Sequence, residues 1–215
     1  MTTDDGYQLN LFRVRKQDLK EGAPVMFFQH GILDSADAWV VNDESSPAFI
    51  AAKAGYDVWC GNQRGTRFSK KHDKYDPYAF AKDERYKYWN FSFQEMAEHD
   101  GKTFLNKIEH ETGVKKVTWI GHQQGATQIF YALADDGLRD FYAQRLNLFV
   151  ALGPVTRLND MNSEFIKAWS KVQGLLEWLT YVFGIFEAFG DGQRAFNHIF
   201  CEFVPKICNL SFEML

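Results

Sequence analysis

The sequence predicts an α/β fold, a mainly parallel sheet flanked by helices. Three observations carry that reading. Short apolar runs of strand length recur along the chain, patches with helical spacing stand between them, and the links joining them are short and contain glycine. A chain of 215 residues is long enough for one large domain, or one domain with a small appendage. It can bury a core without a disulfide or metal staple.

Taken in order, Tyr7-Gln-Leu-Asn-Leu-Phe-Arg-Val14 alternates apolar and polar residues and reads as a half-buried strand. Residues 24–29 form an apolar run ending at His30-Gly31, which fits a central strand buried on both faces. Ser46-Pro47 opens a helix through Ala54, with proline at a permitted early position and Gly55 as the stop. Tyr56 to Cys60 is another short strand, closed by Gly61-Asn62. Residues 63–90, polar and rich in Lys and Tyr, have few periodic apolar positions and read as a long surface loop. Phe93, Met96, Ala97, Phe104, Leu105 and Ile108 share helical spacing, so 92–112 is an amphipathic helix ending at Gly113. Lys116 to Ile120 is a buried strand, and a helix follows from about Ala126 to Asp136. Leu146 to Leu152 is a further strand, ending at Gly153-Pro154. Beyond Val155 the pattern becomes helical, with Phe165, Trp169, Val172, Leu176 and Leu179 in one phase. The chain therefore divides into a sheet domain over 1–155 and a helical appendage over 156–215.

Composition narrows the function. Apolar residues at 46% and charged residues at 24% exclude a disordered chain. Basic residues number 24 against 28 acidic, a net charge of −4, which excludes a dedicated nucleic-acid binder. Twenty Phe, nine Tyr and six Trp suit a bulky core and an apolar ligand. Cys60, Cys201 and Cys208 cannot all pair, and no CxxC supports a zinc ribbon or redox site. Cys201 and Cys208 could bridge in an oxidising compartment. The opening residues lack the basic and apolar regions of a signal peptide. Residues 172–189 are interrupted by Glu177 and Glu187, and so read as a buried or interfacial helix rather than a span.

The chemistry concentrates at Gly121-His122-Gln123-Gln124-Gly125, between a strand and a helix. It matches G-x-S-x-G except at the centre; the alternative is a plain strand-to-helix turn with two glycines. In that motif small residues permit a sharp turn that lifts the central side chain above the sheet. His30-Gly31 follows an earlier strand, where an oxyanion loop would stand. Ile32 and Gln124 are then the backbone N–H donors for charge on an ester oxygen.

Here the sequence resembles the acid lipase family, the gastric and lysosomal lipases and their sterol-esterase relatives. The matching stretches are Thr2-Thr-Asp-Asp-Gly-Tyr7, Gln29-His-Gly-Ile-Leu-Asp-Ser35 and Ala54-Gly-Tyr-Asp-Val-Trp59. Further matches are Gly61-Asn62 with Arg64-Gly65, Trp89-Asn-Phe-Ser-Phe93 with Glu95-Met96-Ala97, and Ala151-Leu-Gly-Pro-Val155. The resemblance implies an α/β-hydrolase fold and esters of long-chain fatty acids, triglyceride or sterol, as substrates. It makes 156–215 the start of a helical cap over the site, and it implies a secreted or lysosomal setting. No cofactor or metal is expected from the motifs present. The resemblance also implies serine where this chain has Gln123 and Gln63, and a catalytic Asp and His downstream of the cap, so that the chain covers roughly the N-terminal half of a family catalytic domain.

A carboxamide nitrogen is delocalised into its carbonyl and cannot act like a base-activated hydroxyl. The first reading is therefore a lipase homologue inactive as written, which binds a fatty-acyl ligand or a protein partner. A second is an active lipase in which Gln123 is a changed serine and the chain a fragment. A third is a non-catalytic assembly subunit. No other residue replaces the nucleophile. Cys60 reads as inert core, His122 as a support of the turn, and His72, His99 and His110 as solvated; His198 has no motif. Glu109-His110-Glu111 lacks the second histidine of a zincin because Val114 stands there, and Lys70-Lys71 and Lys115-Lys116 read as solvated charge. Leu175, Leu176, Trp178, Leu179, Val182, Phe183, Ile185, Phe186 and Phe189 cover nearly all sides of a helix. They form either cap core or a surface that meets lipid, including peripheral contact with a membrane.

Overall fold

Neighbouring residues of a strand point to opposite faces, so strands apolar at consecutive positions must be covered on both sides. The computed structural model describes residues 1–156 together with 174, 178, 181, 182, 186 and 187, and the three inner strands of its sheet are covered in this way, whereas the apolar edge strand at 146–152 has no buried residue. The elements are β1 (Tyr7–Gln8), β2 (Asn10–Val14), β3 (Val25–Gln29), α1 (Pro47–Lys53), β4 (Asp57–Asn62), β5 (Lys71–His72) and α2 (Lys82–Trp89). They continue with α3 (Phe93–Glu95), α4 (Lys102–Thr112), β6 (Val117–His122), α5 (Gln124–Ala134), α6 (Arg139–Arg145) and β7 (Leu146–Leu152). The main sheet has the order β2-β4-β3-β6-β7, antiparallel only between β2 and β4.

Phe27 of β3 and Trp119 of β6 face one core with Phe104, Leu105 and Ile108 of α4, Ile129 of α5 and Tyr142 of α6. Their neighbours Phe28 and Ile120 face the other, with Trp39 and Ala48, Ala51 and Ala52 of α1. The two aromatic contacts at the centre, Phe27–Trp119 at 4.4 Å and Phe28–Trp39 at 4.9 Å between centroids, thus lie on opposite faces.

Several expectations change. The strand expected over Tyr7–Val14 is two, because β1 leaves to pair with β5 while β2 pairs with β4. The surface loop expected over 63–90 contains β5 and α2, and buries Gln63, Arg64, Ser69 and Tyr88. The helix expected over 92–112 forms in three pieces, α3 and α4 joined by a π-helical turn at Met96–Gly101. A capping box opens it, with Ser92 Oγ accepting from Gln94 N and Glu95 Oε2 accepting from Ser92 N. The helix expected from Ala126 starts at Gln124 and ends at Ala134, and α6 was not anticipated.

Gly174, Trp178, Tyr181 and Val182 are helical. Apart from these and Thr156, Phe186 and Glu187, the expected cap, with Cys201, Cys208 and His198, lies outside the described residues. Among the described residues no helix is long and apolar enough to cross a membrane.

Candidate functional site

β6 ends at His122 and α5 begins at Gln124, leaving Gln123 alone to make the turn between them. Its backbone lies at φ 48° and ψ −111°, a region that side chains other than glycine rarely adopt. Main-chain bonds hold it there. Gln123 N donates to Leu152 O at 2.9 Å, and Gln123 O accepts from Ala126 N at 3.0 Å and Thr127 N at 3.1 Å. The flanking glycines are required by close approach. A Cβ on Gly121 would stand 2.4 Å from Gly125 O, and one on Gly125 would stand 2.4 Å from Gln29 O. Trp119 Nε1 closes the turn by donating to Gly125 O at 3.1 Å.

The turn after β3 meets this one. Ile32 N donates to Gln123 Oε1 at 3.3 Å. Gly31 is buried beneath that contact, where a Cβ would stand 2.5 Å from Gln123 Oε1. His30 is buried, its Nδ1 2.7 Å from Gly31 O and its Nε2 accepting from Gln63 N at 3.3 Å. Those partners select the neutral ring protonated at Nδ1. Burial also pushes the His30 pKa down, outweighing Asp34 and Asp37, which favour the charged form. Gln63 Nε2 returns a bond to His30 O at 3.3 Å.

Of the site residues read from sequence, the fold brings Ile32, Gln123 and Gln124 together. His122 is exposed beside them. A cleft of about 870 Å³ opens here, lined by His30, Ile32, Leu33, Gln63, Trp89, Phe91, Met96, Gln124 and Phe186 among others, with Gln123 outside its lining. The Gln124 side-chain oxygen is buried with no partner among the described residues. Cys60 is buried and its thiol pushed up to about 12 by desolvation, which makes it a poor nucleophile.

Sequence reasoning missed a second layer. Arg64 is buried under the cleft, its Nε on Asp100 Oδ1 at 2.8 Å and its Nη1 on Asp5 Oδ2 at 2.6 Å. Burial alone would lower its pKa, but the two carboxylates more than offset this and hold it charged. The guanidinium also lies 4.0 Å from the Tyr7 ring centroid. Two residues expected in solvent are packed instead. His72 stacks on Tyr75 at 4.7 Å and meets the Tyr7 ring edge-on, while Lys70 is paired with Glu187. His110 is exposed, as expected. Asp4, Asp5 and His99 offer ligand atoms within 4.8 Å of one another, but His99 Nδ1 lies 2.5 Å from Asp4 Oδ1 and Asp5 is held by Arg64.

The family described as alpha/beta hydrolase fold matches residues 24–187. The chain belongs to the α/β-hydrolase family. A partial alpha/beta-hydrolase lipase region also matches residues 1–43 of this α/β-hydrolase. It is 40% identical over 170 residues to the lysosomal acid lipase/cholesteryl ester hydrolase of Homo sapiens, covering 77% of this chain and 40% of that protein. It is 36% identical to the human gastric triacylglycerol lipase over 221 residues, covering 100% of this chain and 50% of the relative. The α/β-hydrolase thus spans about half the length of the curated relatives it matches. Among solved structures it resembles a hydrolase from Pseudomonas aeruginosa PA01, with a TM-score of 0.52 at 15% identity over 82% of this chain and 52% of that one. That likeness concerns the fold.

Proposed function

We propose that this α/β-hydrolase is a catalytically silent homologue of the acid lipases, and that it binds fatty-acyl esters, triglyceride or sterol ester, without cleaving them. The observation that carries the reading is Gln123, alone on a strained strand-to-helix turn beside the N–H of Ile32. In this reading Gln123 occupies the nucleophile position, with Ile32 and Gln124 as the oxyanion donors. A carboxamide there has no nucleophilic lone pair to give an acyl carbon, so the turn presents the wrong atom at the right place. The ligand class is supported by the relatives, a triacylglycerol lipase and a cholesteryl ester hydrolase by name. The apolar part of the cleft lining, Leu33, Trp89, Phe91, Met96 and Phe186, supports it too, beside a charged part that includes Asp34, Asp37, Arg67 and Lys70. Exposed Trp178, Tyr181 and Val182 support contact with a lipid interface.

The test sets the purified chain against p-nitrophenyl laurate and, separately, a non-hydrolysable trialkyl ether of glycerol. The expected result is saturable binding of the ether with no hydrolysis above background. Turnover near the ordinary enzymatic scale of about 10 s⁻¹ would overturn the silent reading. Failure to bind the ether would overturn the ligand class and favour an assembly role.

A further inference from the structure

Gln123 does more than lack a hydroxyl. Its side chain folds back so that Oε1 takes the N–H of Ile32 at 3.3 Å, and among the described residues neither group has another partner. The fit is close. A Cβ on Gly31 would lie 2.5 Å from Oε1 and 3.2 Å from Gln123 Cβ, so the side chain lies against the bare Cα of Gly31. The base of the side chain is immobile, because the backbone of Gln123 is held at both N and O.

We propose that the Gln123 carboxamide is a built-in occupant of the donor site at Ile32, its carbonyl standing where a ligand's acyl carbonyl or carboxylate would be bound. The inference rests on the acyl-site reading above and deepens it. A backbone N–H can be met only by Oε1, which fixes the amide's orientation. A ligand that reaches Ile32 must first displace this oxygen, so a fatty-acyl group enters the cleft without the Ile32 N–H to meet its polar end. Side-chain length matters as well. Asparagine is one methylene shorter, about 1.5 Å, and its oxygen falls short of a contact already at 3.3 Å.

The experiment compares the chain with Gln123→Gly and Gln123→Asn, reading amide hydrogen exchange at Ile32 and its ¹⁵N–¹H shift during titration with sodium laurate. Glycine suits a positive φ, so the first variant keeps the turn. In the unmodified chain, laurate should leave the Ile32 signal in place. In both variants exchange at Ile32 should rise about tenfold, and laurate should then shift the signal and bind about tenfold more tightly, as expected for one hydrogen bond to a charged oxygen. Unchanged exchange in both variants overturns the occupant, whatever the fate of the acyl reading. If exchange rises but laurate leaves the Ile32 signal in place in all three chains, the acyl reading fails, and with it the ligand named here.

Discussion

Arg64 and Asp100 come from segments 36 residues apart and meet through both backbone and side chain. Arg64 N donates to Asp100 Oδ2 at 2.9 Å and its Nε to Oδ1 at 2.8 Å. One carboxylate thereby fixes both the backbone and the head of the same residue, tying the link after β4 to the π-helical turn before α4. With Asp5 on the far side of the guanidinium, three charges share a site in which Arg64 and Asp100 side chains are each 1% exposed.

Removing the cation should be costly. Arg64→Met leaves buried Asp100 unpaired, and the expected loss is about 3–5 kcal/mol in urea unfolding. Arg64→Lys keeps the charge but cannot form the two-sided fork, and should fall between the two. Equal stability of Arg64→Met and the parent would show that the cluster contributes nothing.

The turn at Gln123 stores backbone strain. Gln123→Gly should raise thermal stability by about 1 kcal/mol despite losing the contact to Ile32, because φ 48° carries no penalty in glycine. A calorimetric melt lower than the parent's would show that the side-chain contact outweighs the strain.

His30 makes stability depend on pH. Its folded pKa lies below the ordinary 6.5, through burial opposed by Asp34 and Asp37 and aided by His122. The unfolded chain therefore binds the proton more readily, so stability is full above pH 6.5 and falls as pH drops below it. His72, shifted the same way by desolvation, adds to the slope. The slope for His30 cannot exceed one proton, about 1.4 kcal/mol per pH unit. Asp5 is also depressed, against a desolvation that raises it, by hydrogen bonds from Arg64 and Thr3, and it extends the loss below its ordinary 3.8. Urea midpoints between pH 7 and 5 should decline in the parent and flatten in His30→Gln.

Lys70 and Glu187 fasten the described residues Tyr181, Phe186 and Glu187 to the 63–90 region. They form an ion pair in which the side chains are 19% and 17% exposed. Tyr86 meets Tyr181 at 5.4 Å and Phe186 at 5.8 Å, and Lys82 stands 4.2 Å from the Tyr181 ring centroid. Glu187→Gln should speed chymotryptic cleavage at Tyr181 and Phe186 about fivefold, matching about 1 kcal/mol for a surface pair. Added salt should speed the parent and leave the variant nearly unchanged. Identical cleavage of the two proteins would leave the fastening to the aromatic contacts.

What the sequence revealed follows from the kind of burial each element has. β7 is found at Leu146–Leu152 as expected, and β3, β4 and β6 within two residues at each end, because continuous apolar runs of strand length are conspicuous. α2 escaped notice because Tyr88 is its one buried residue, so its sequence carries no apolar stripe. The turn at Gln123 was legible because two glycines bracket it. Its contact with Ile32 was not, since no local pattern reports a bond across 91 positions. Gln29, Gln63, Arg64 and Asp100 were unreadable for a related reason. A polar residue is expected outside, and each is inside because of neighbours distant in sequence, or, for the Gln29 side chain, with no partner among the described residues.

Every bond that fixes the backbone of residue 123 is made by its own main-chain N and O, to main-chain groups and to the Thr127 hydroxyl, and the two glycines beside it need only to stay bare. The geometry of the turn is therefore indifferent to the side chain it carries. Position 123 is a socket into which one codon change can fit a hydroxyl, a thiol, an amide or nothing, each starting from the same backbone point near Ile32. A fold with such a socket can lose or regain a chemistry while the protein around it keeps its shape.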